Sequence, residues 1–125
     1  LADNGAGLQP SKGSFTEGGL RSPLLLYYPG IIASQVREEL VSSVDLLPTF
    51  LDYAGLSIPA SYPDKISLKA LLMGTVSGRE QLTTVRPGGE IRAVRDARYK
   101  RYLKGNRTTA LYDLLFDPFE KKNLK

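Results

Sequence analysis

An acid, an amide and a lysine stand close to the amino end of this 125-residue chain: Asp3-Asn4-Gly5, then Lys12-Gly13. The same stretch holds five glycines (Gly5, Gly7, Gly13, Gly18 and Gly19) and runs on as Glu17-Gly18-Gly19-Leu20-Arg21-Ser22-Pro23. No helix or strand pattern fits residues 1–22, so they read as a loop. Glycine at that density costs backbone entropy unless the path needs it. A hard cation such as Ca²⁺ takes oxygen ligands, and adjacent carboxylate and amide oxygens supply two. A lysine a few residues on is a compact positive charge suited to one oxygen of a tetrahedral anion. A plainer account is open for the same residues. Asp3 and Asn4 can form an Asx-type turn before Gly5, and Lys12 can be a solvated surface lysine. Glu17 and Arg21 read as scaffold: a buried or half-buried pair that pins the loop, since breaking such a pair strands a charge.

The elements that must position this loop follow in order. Pro23 to Tyr28 is a continuous apolar run, Leu24-Leu25-Leu26-Tyr27-Tyr28, which suits a strand buried on both faces, ended by Pro29-Gly30. A short strand is expected near Glu39-Leu40-Val41. Asp45 is placed to cap a helix over Leu46 to Tyr53, with Pro48 in its first turn and Gly55 just past its end. Leu46, Leu47, Phe50, Leu51 and Ala54 share one face at helical spacing. Ser67 can cap a second short helix, Leu68 to Met73, stopped by Gly74. From Gln81 the texture changes to short strands. These are Leu82 to Val85, a turn at Pro87-Gly88-Gly89, a hairpin of Glu90 to Arg95 with Arg98 to Leu103, and a strand from Thr109 to Leu115. Asp117 to Leu124 reads as a turn with a short helix.

The composition narrows the classes. Lys and Arg number 17 against 13 Asp and Glu, a formal charge of +4. That mild excess suits anionic substrates and is also ordinary for a solvated surface. There is no cysteine, hence no disulfide framework and no thiolate metal site, and no histidine, the commonest general base. No apolar run approaches the ~20 residues of a membrane-spanning helix. Arg92, Arg95, Arg98, Lys100, Arg101, Lys104 and Arg107, interleaved with Tyr99 and Tyr102, could form a stacking platform for a nucleic acid. Side chains alternate along a strand, so we read the cluster as the wet face of a hairpin, with no nucleic-acid partner.

The motifs also carry a family resemblance. D-N-G followed by K-G-x-x-x-E-G-G-x-R-x-P resembles the second half of the sulfatase active site. Leu26-Tyr27-Tyr28-Pro29-Gly30 is similar to the family's strand ending in Pro-Gly, and Asp45-Leu46-Leu47-Pro48-Thr49 to its D-x-x-P-T helix start. Arg92-Ala93-Val94-Arg95 with Tyr99-Lys100 resembles its C-terminal hairpin. Leu111-Tyr112-Asp113-Leu114, Asp117-Pro118, Glu120 and Asn123-Leu124 resemble its closing segment. Two positions depart from the pattern: Lys65 and Ala97 stand where the family often has glycine.

The resemblance implies an α/β, alkaline-phosphatase-like fold. Residues 1–75 would hold the C-terminal part of the catalytic domain, including the last strand of its large sheet. Residues 76–125 would form a small antiparallel sheet with a packed helix (α+β). Asp3 and Asn4 would be ligands of Ca²⁺, with Mg²⁺ as the alternative. Lys12 would contact a sulfate oxygen and help the leaving group depart. The nucleophile would be a formylglycine made within a C/S-x-P-x-R motif, which has no counterpart here. The chain is therefore expected to be the C-terminal piece of a longer enzyme, inactive alone. Its partners would be the N-terminal half and a sulfated small molecule or glycan. Alternatives are a phosphonate or phosphodiester hydrolase of the same superfamily and a non-catalytic accessory module.

Overall fold

The computed structural model describes residues 13–62 and 66–125. They fall into two compact units, residues 13–26 with 81–125 and residues 27–62 with 66–80.

The first unit is built on a four-stranded antiparallel meander. Its strands are β1 (Leu82–Val85), β2 (Ile91–Arg95), β3 (Tyr99–Lys104) and β4 (Arg107–Asp113), neighbours in sequence and in space. Each turn has a local cause. Gly88 and Gly89 both take positive φ (93° and 76°) between β1 and β2, where side chains are strained. Between β2 and β3 no glycine is needed. The Asp96 carboxylate accepts the backbone N–H groups of Arg98 (2.8 Å) and Tyr99 (2.6 Å), closing an Asx turn around Ala97.

Cross-strand register puts Arg95, Lys100 and Tyr112 in one row and Ala93, Tyr102 and Ala110 in the next, on the same face. Ala93, Lys100 and Ala110 are buried there, and Leu103 is buried just beyond a register shift after Tyr102. Segment 117–124 contains turns and no helix. It lies against β4, with Leu111 N–H donating to Asn123 Oδ1 (3.0 Å) and Leu124 N–H to the Leu111 carbonyl (2.8 Å).

Beyond the helix expected and not found in segment 117–124, two local expectations change here. Residues 17–20 are one helical turn, α1 (Glu17–Leu20), where a loop was expected. Its bonds run from Leu20 N–H to the Thr16 carbonyl (3.0 Å) and from Arg21 N–H to the Glu17 carbonyl (2.8 Å). Residues 23–28 are not a strand. Leu25 and Tyr27 are 83% and 84% exposed, while Leu24 and Leu26 are half-buried. A strand is defined by its ladder, and no strand among the described residues pairs with this one.

The second unit is helical. A 3₁₀ turn, Ser43–Asp45, leads into α2 (Leu46–Tyr53), and α3 (Lys69–Leu72) follows. Gly55 and Gly74 take positive φ (71° and 73°) just past the two α-helices, as C′ residues do. The buried face of α2 is not the apolar one that spacing suggested. Pro48 and Thr49 are buried, whereas Leu47 and Phe50 are 45% and 58% exposed. The bonds that tie this region to other segments, Leu68 N–H to Thr49 Oγ1 and Arg79 to Asp45, involve buried residues of this face and of the turn before it. Residues 39–41 form no strand; one bond links Arg79 N–H to the Leu40 carbonyl (3.0 Å). A Cβ on Gly78 would sit 2.6 Å from that of Glu39, so this approach needs glycine. Among the described residues no helix is long and apolar enough to cross a membrane.

Candidate functional site

Asp3, Asn4 and Lys12 lie outside the described residues. The described part of the candidate loop starts at Gly13, the residue bonded to Lys12. Gly13 takes φ +75°, and the Ser14 and Thr16 hydroxyls hydrogen-bond at 2.6 Å. The Phe15 ring lies 6.3 Å from that of Tyr102 and 5.5 Å from the Arg86 guanidinium. These contacts tie the loop's exit to the sheet.

Beneath α1 sits a cluster of four charged groups and a phenol. Lys100 Nζ, fully buried, bonds Glu17 Oε1 at 2.9 Å and Glu120 Oε1 at 3.1 Å. Arg95 holds the second oxygen of Glu17, and the Tyr102 hydroxyl donates to Glu120. Two formal positive charges therefore face two negative ones. Burial first, then the bond to Glu120, raises the Tyr102 pKa far above that of a free phenol and keeps it a donor.

Glu17 is thus scaffold, as expected, but its partners differ from the expected one. It pairs with Arg95 and Lys100, and Arg21 is exposed. The pairing follows register: Arg95 and Lys100 stand opposite each other on the face that α1 covers. Lys100 was grouped with the wet basic residues, yet it is buried, while Arg98, Arg101, Lys104 and Arg107 are exposed. The signal was present in the two-residue period of β3, which sets Lys100 with Tyr102 and apart from Arg101. Glu120 stood out only as a position of the closing motif, and its role was not legible there because its partners come from distant segments.

The second unit has its own buried polar group. Asp45, fully buried, accepts Ser42 N–H at 2.8 Å and pairs with Arg79 through both carboxylate oxygens. Its carboxylate caps the 3₁₀ turn rather than the N–H groups of α2. Thr49 Oγ1 donates to the Asp45 carbonyl (2.6 Å) and accepts Leu68 N–H (2.8 Å), which joins α2 to the start of α3. Among the described residues no group of three His, Cys, Asp or Glu could hold a metal.

Comparison with known proteins places this chain. The family model described as N-sulphoglucosamine sulphohydrolase, C-terminal, matches residues 11–125. Human arylsulfatase A is 35% identical over 144 aligned residues, covering 94% of this chain and 28% of that protein. The Delta 4,5-hexuronate-2-O-sulfatase of Bacteroides thetaiotaomicron is 40% identical over 97 residues, covering 66% of this chain and 19% of the relative. The chain thus spans less than a third of these relatives.

Among solved structures, one from work on glycosaminoglycan metabolism by Bacteroides thetaiotaomicron shares the fold. Its TM-score is 0.64 at 23% identity, over 78% of this chain and 25% of that one. Another, solved with its substrate D-glucosamine-2-N,6-O-disulfate, has TM-score 0.50 at 25% identity over 64% of this chain and 19% of that one. The fold is alkaline-phosphatase-like, as in these sulfatases. The chain belongs to the sulfatase family and corresponds to the C-terminal portion of its members.

Proposed function

We propose that the protein carrying this chain hydrolyses sulfate esters, with Asp3 and Asn4 holding a Ca²⁺ (or Mg²⁺) and Lys12 holding the sulfate. The supporting observation is the unbroken family match over residues 11–125, which takes in Lys12-Gly13 and Glu17-Gly18-Gly19. The donor set suits a hard cation, since a carboxylate and an amide carbonyl are both oxygen ligands. Two oxygens fall short of the about six to eight that Ca²⁺ takes, so further protein oxygens, water or the sulfate itself would complete the shell. When bound, the cation supplies positive charge at the sulfate, and a formylglycine supplies the nucleophile.

The work of this chain is then to bind and orient. Lys12 Nζ donates to a sulfate oxygen and offsets charge on the leaving oxygen as the ester bond breaks. Its primary ammonium suits a single oxygen better than a planar guanidinium would. The relatives named for a hexuronate 2-O-sulfate and a glucosamine disulfate support a sulfated sugar as the substrate class.

The test is turnover of an aryl sulfate and of a sulfated glucosamine by the full-length protein. We expect hydrolysis that is lost on chelation, with Lys12→Ala lowering kcat by about 10²–10³. The isolated 125-residue chain with Ca²⁺ should show no turnover. Cleavage of a phosphodiester or phosphonate in preference to the sulfates would overturn the proposal.

A further inference from the structure

Glu120 joins segment 117–124 to the residues that follow Lys12. Its Oε1 accepts the Glu17 backbone N–H (2.6 Å) and Lys100 Nζ (3.1 Å), and its Oε2 accepts the Tyr102 hydroxyl. One carboxylate thus binds the first residue of α1 and two residues of β3. The side chains of Lys100 and Glu120 are 0% and 2% exposed. Glu120 also has φ +56°, the one positive φ among the described non-glycine residues. A residue without glycine's freedom keeps that conformation only where its surroundings over-determine it.

Burying charges is costly, and replacing a buried ion pair by apolar residues of similar volume is often neutral or stabilising. What charge and directional bonds add is a single arrangement of what they hold. Here they hold residues 13–20. Phe15 is packed near Tyr102, and Glu17 is gripped at its N–H and at both carboxylate oxygens. Lys12 is covalently next to this fixed segment and five residues before Glu17.

We infer that Glu120, acting with Lys100, is a positioning residue for Lys12: it fixes residues 13–20 on the sheet and so places the lysine against the sulfate. This rests on the reading of Lys12 as a sulfate contact. A misplacement of about 1 Å in a catalytic group can cost about 10²-fold in rate.

The test is a double-mutant cycle in the full-length protein with an aryl sulfate as probe, paired with hydrogen exchange over residues 13–20. Glu120→Gln keeps the size of the side chain and removes its charge. We expect kcat to fall at least about tenfold with KM changed less than about threefold. Exchange at the Glu17 amide should quicken by about tenfold or more, since its acceptor is weakened. In a Lys12→Ala background the same change should cost kcat less than about twofold, because a residue that acts through Lys12 has nothing left to place.

An equal loss of kcat in both backgrounds would mark a merely structural role and overturn the inference. So would an unchanged kcat in Glu120→Gln, or unchanged exchange. If Glu120→Gln does not fold, Arg95→Gln removes another grip on Glu17 from a side chain already 21% exposed. It should lower kcat in the same direction by a smaller factor, and an unaltered kcat there would overturn the inference. Full activity in Lys12→Ala alone would overturn the reading of Lys12 itself. That failure needs no change at Glu120, so the two are told apart.

Discussion

In the helical unit the buried acid is Asp45, and apart from Arg79 its hydrogen-bond partners lie within four residues of it. In the sheet unit the buried cation is Lys100, and its carboxylates come from 83 and 20 residues away. Both groups are fully desolvated and both are satisfied. They differ in what they connect. Asp45 and Thr49 stitch a helix to its own start and to the next helix. Lys100 and Glu120 fasten α1 and segment 117–124 to one strand. The first kind combines bonds within four residues with ties 19 and 34 residues away, and the second consists of distant ties alone.

Three changes would sharpen or break this contrast. The largest effect is expected for Lys100→Ala, which leaves Glu17 and Glu120 facing each other without their shared cation. Removing one side of a buried pair costs about 3–5 kcal/mol. Chemical denaturation should show it, and Glu17→Gln on top should recover part of the loss. A cost no greater than that of a surface pair would mean that the cluster is wet and the contrast false.

A smaller loss, about 1–3 kcal/mol, is expected for Thr49→Val, which deprives the buried Leu68 N–H of its acceptor. Thr49→Ser keeps the hydroxyl and should restore most of it. Failure of serine to do so would shift the explanation from hydrogen bonding to packing.

The smallest effect belongs to Arg98→Gln, which breaks the exposed pair with Asp113. The Arg98 bond, first among several causes, holds the Asp113 carboxyl below its ordinary 3.8. A group whose folded pKa is depressed contributes stability above its unfolded value and loses it as pH falls through the folded one. Parent and variant should therefore differ slightly in Tm at neutral pH and converge in acid, below the ordinary 3.8 of Asp113. A gap that widened on acidification would refute this assignment.

The sequence was most legible where the cause of structure is local. The span of α2, its glycine stop at Gly55 and the strand Leu82 to Val85 lie where the sequence reading put them, although the Asp45 carboxylate bonds Ser42 N–H and not the N–H groups of α2. It was least legible where a partner decides. Leu24 to Tyr28 has the composition of a buried strand, yet strand and burial both require neighbours that the described residues do not provide. The apolar residues of α2 suggested one face, whereas the buried residues are Pro48 and Thr49, the latter bonded to Leu68 N–H. Asp3, Asn4 and Lys12 were legible only as a pattern of types and spacing.

By itself, then, the sequence determined the family and, between Asp45 and Asp113, the order of the helices and strands. Motif residues and turn chemistry act over a few positions and survive in any context. Tertiary structure alone decided that Lys100 is an interior cation and that Glu120 is its partner. The reason is physical: whether a charge is solvated or paired depends on which segments meet across the fold, and chain distance does not encode that meeting.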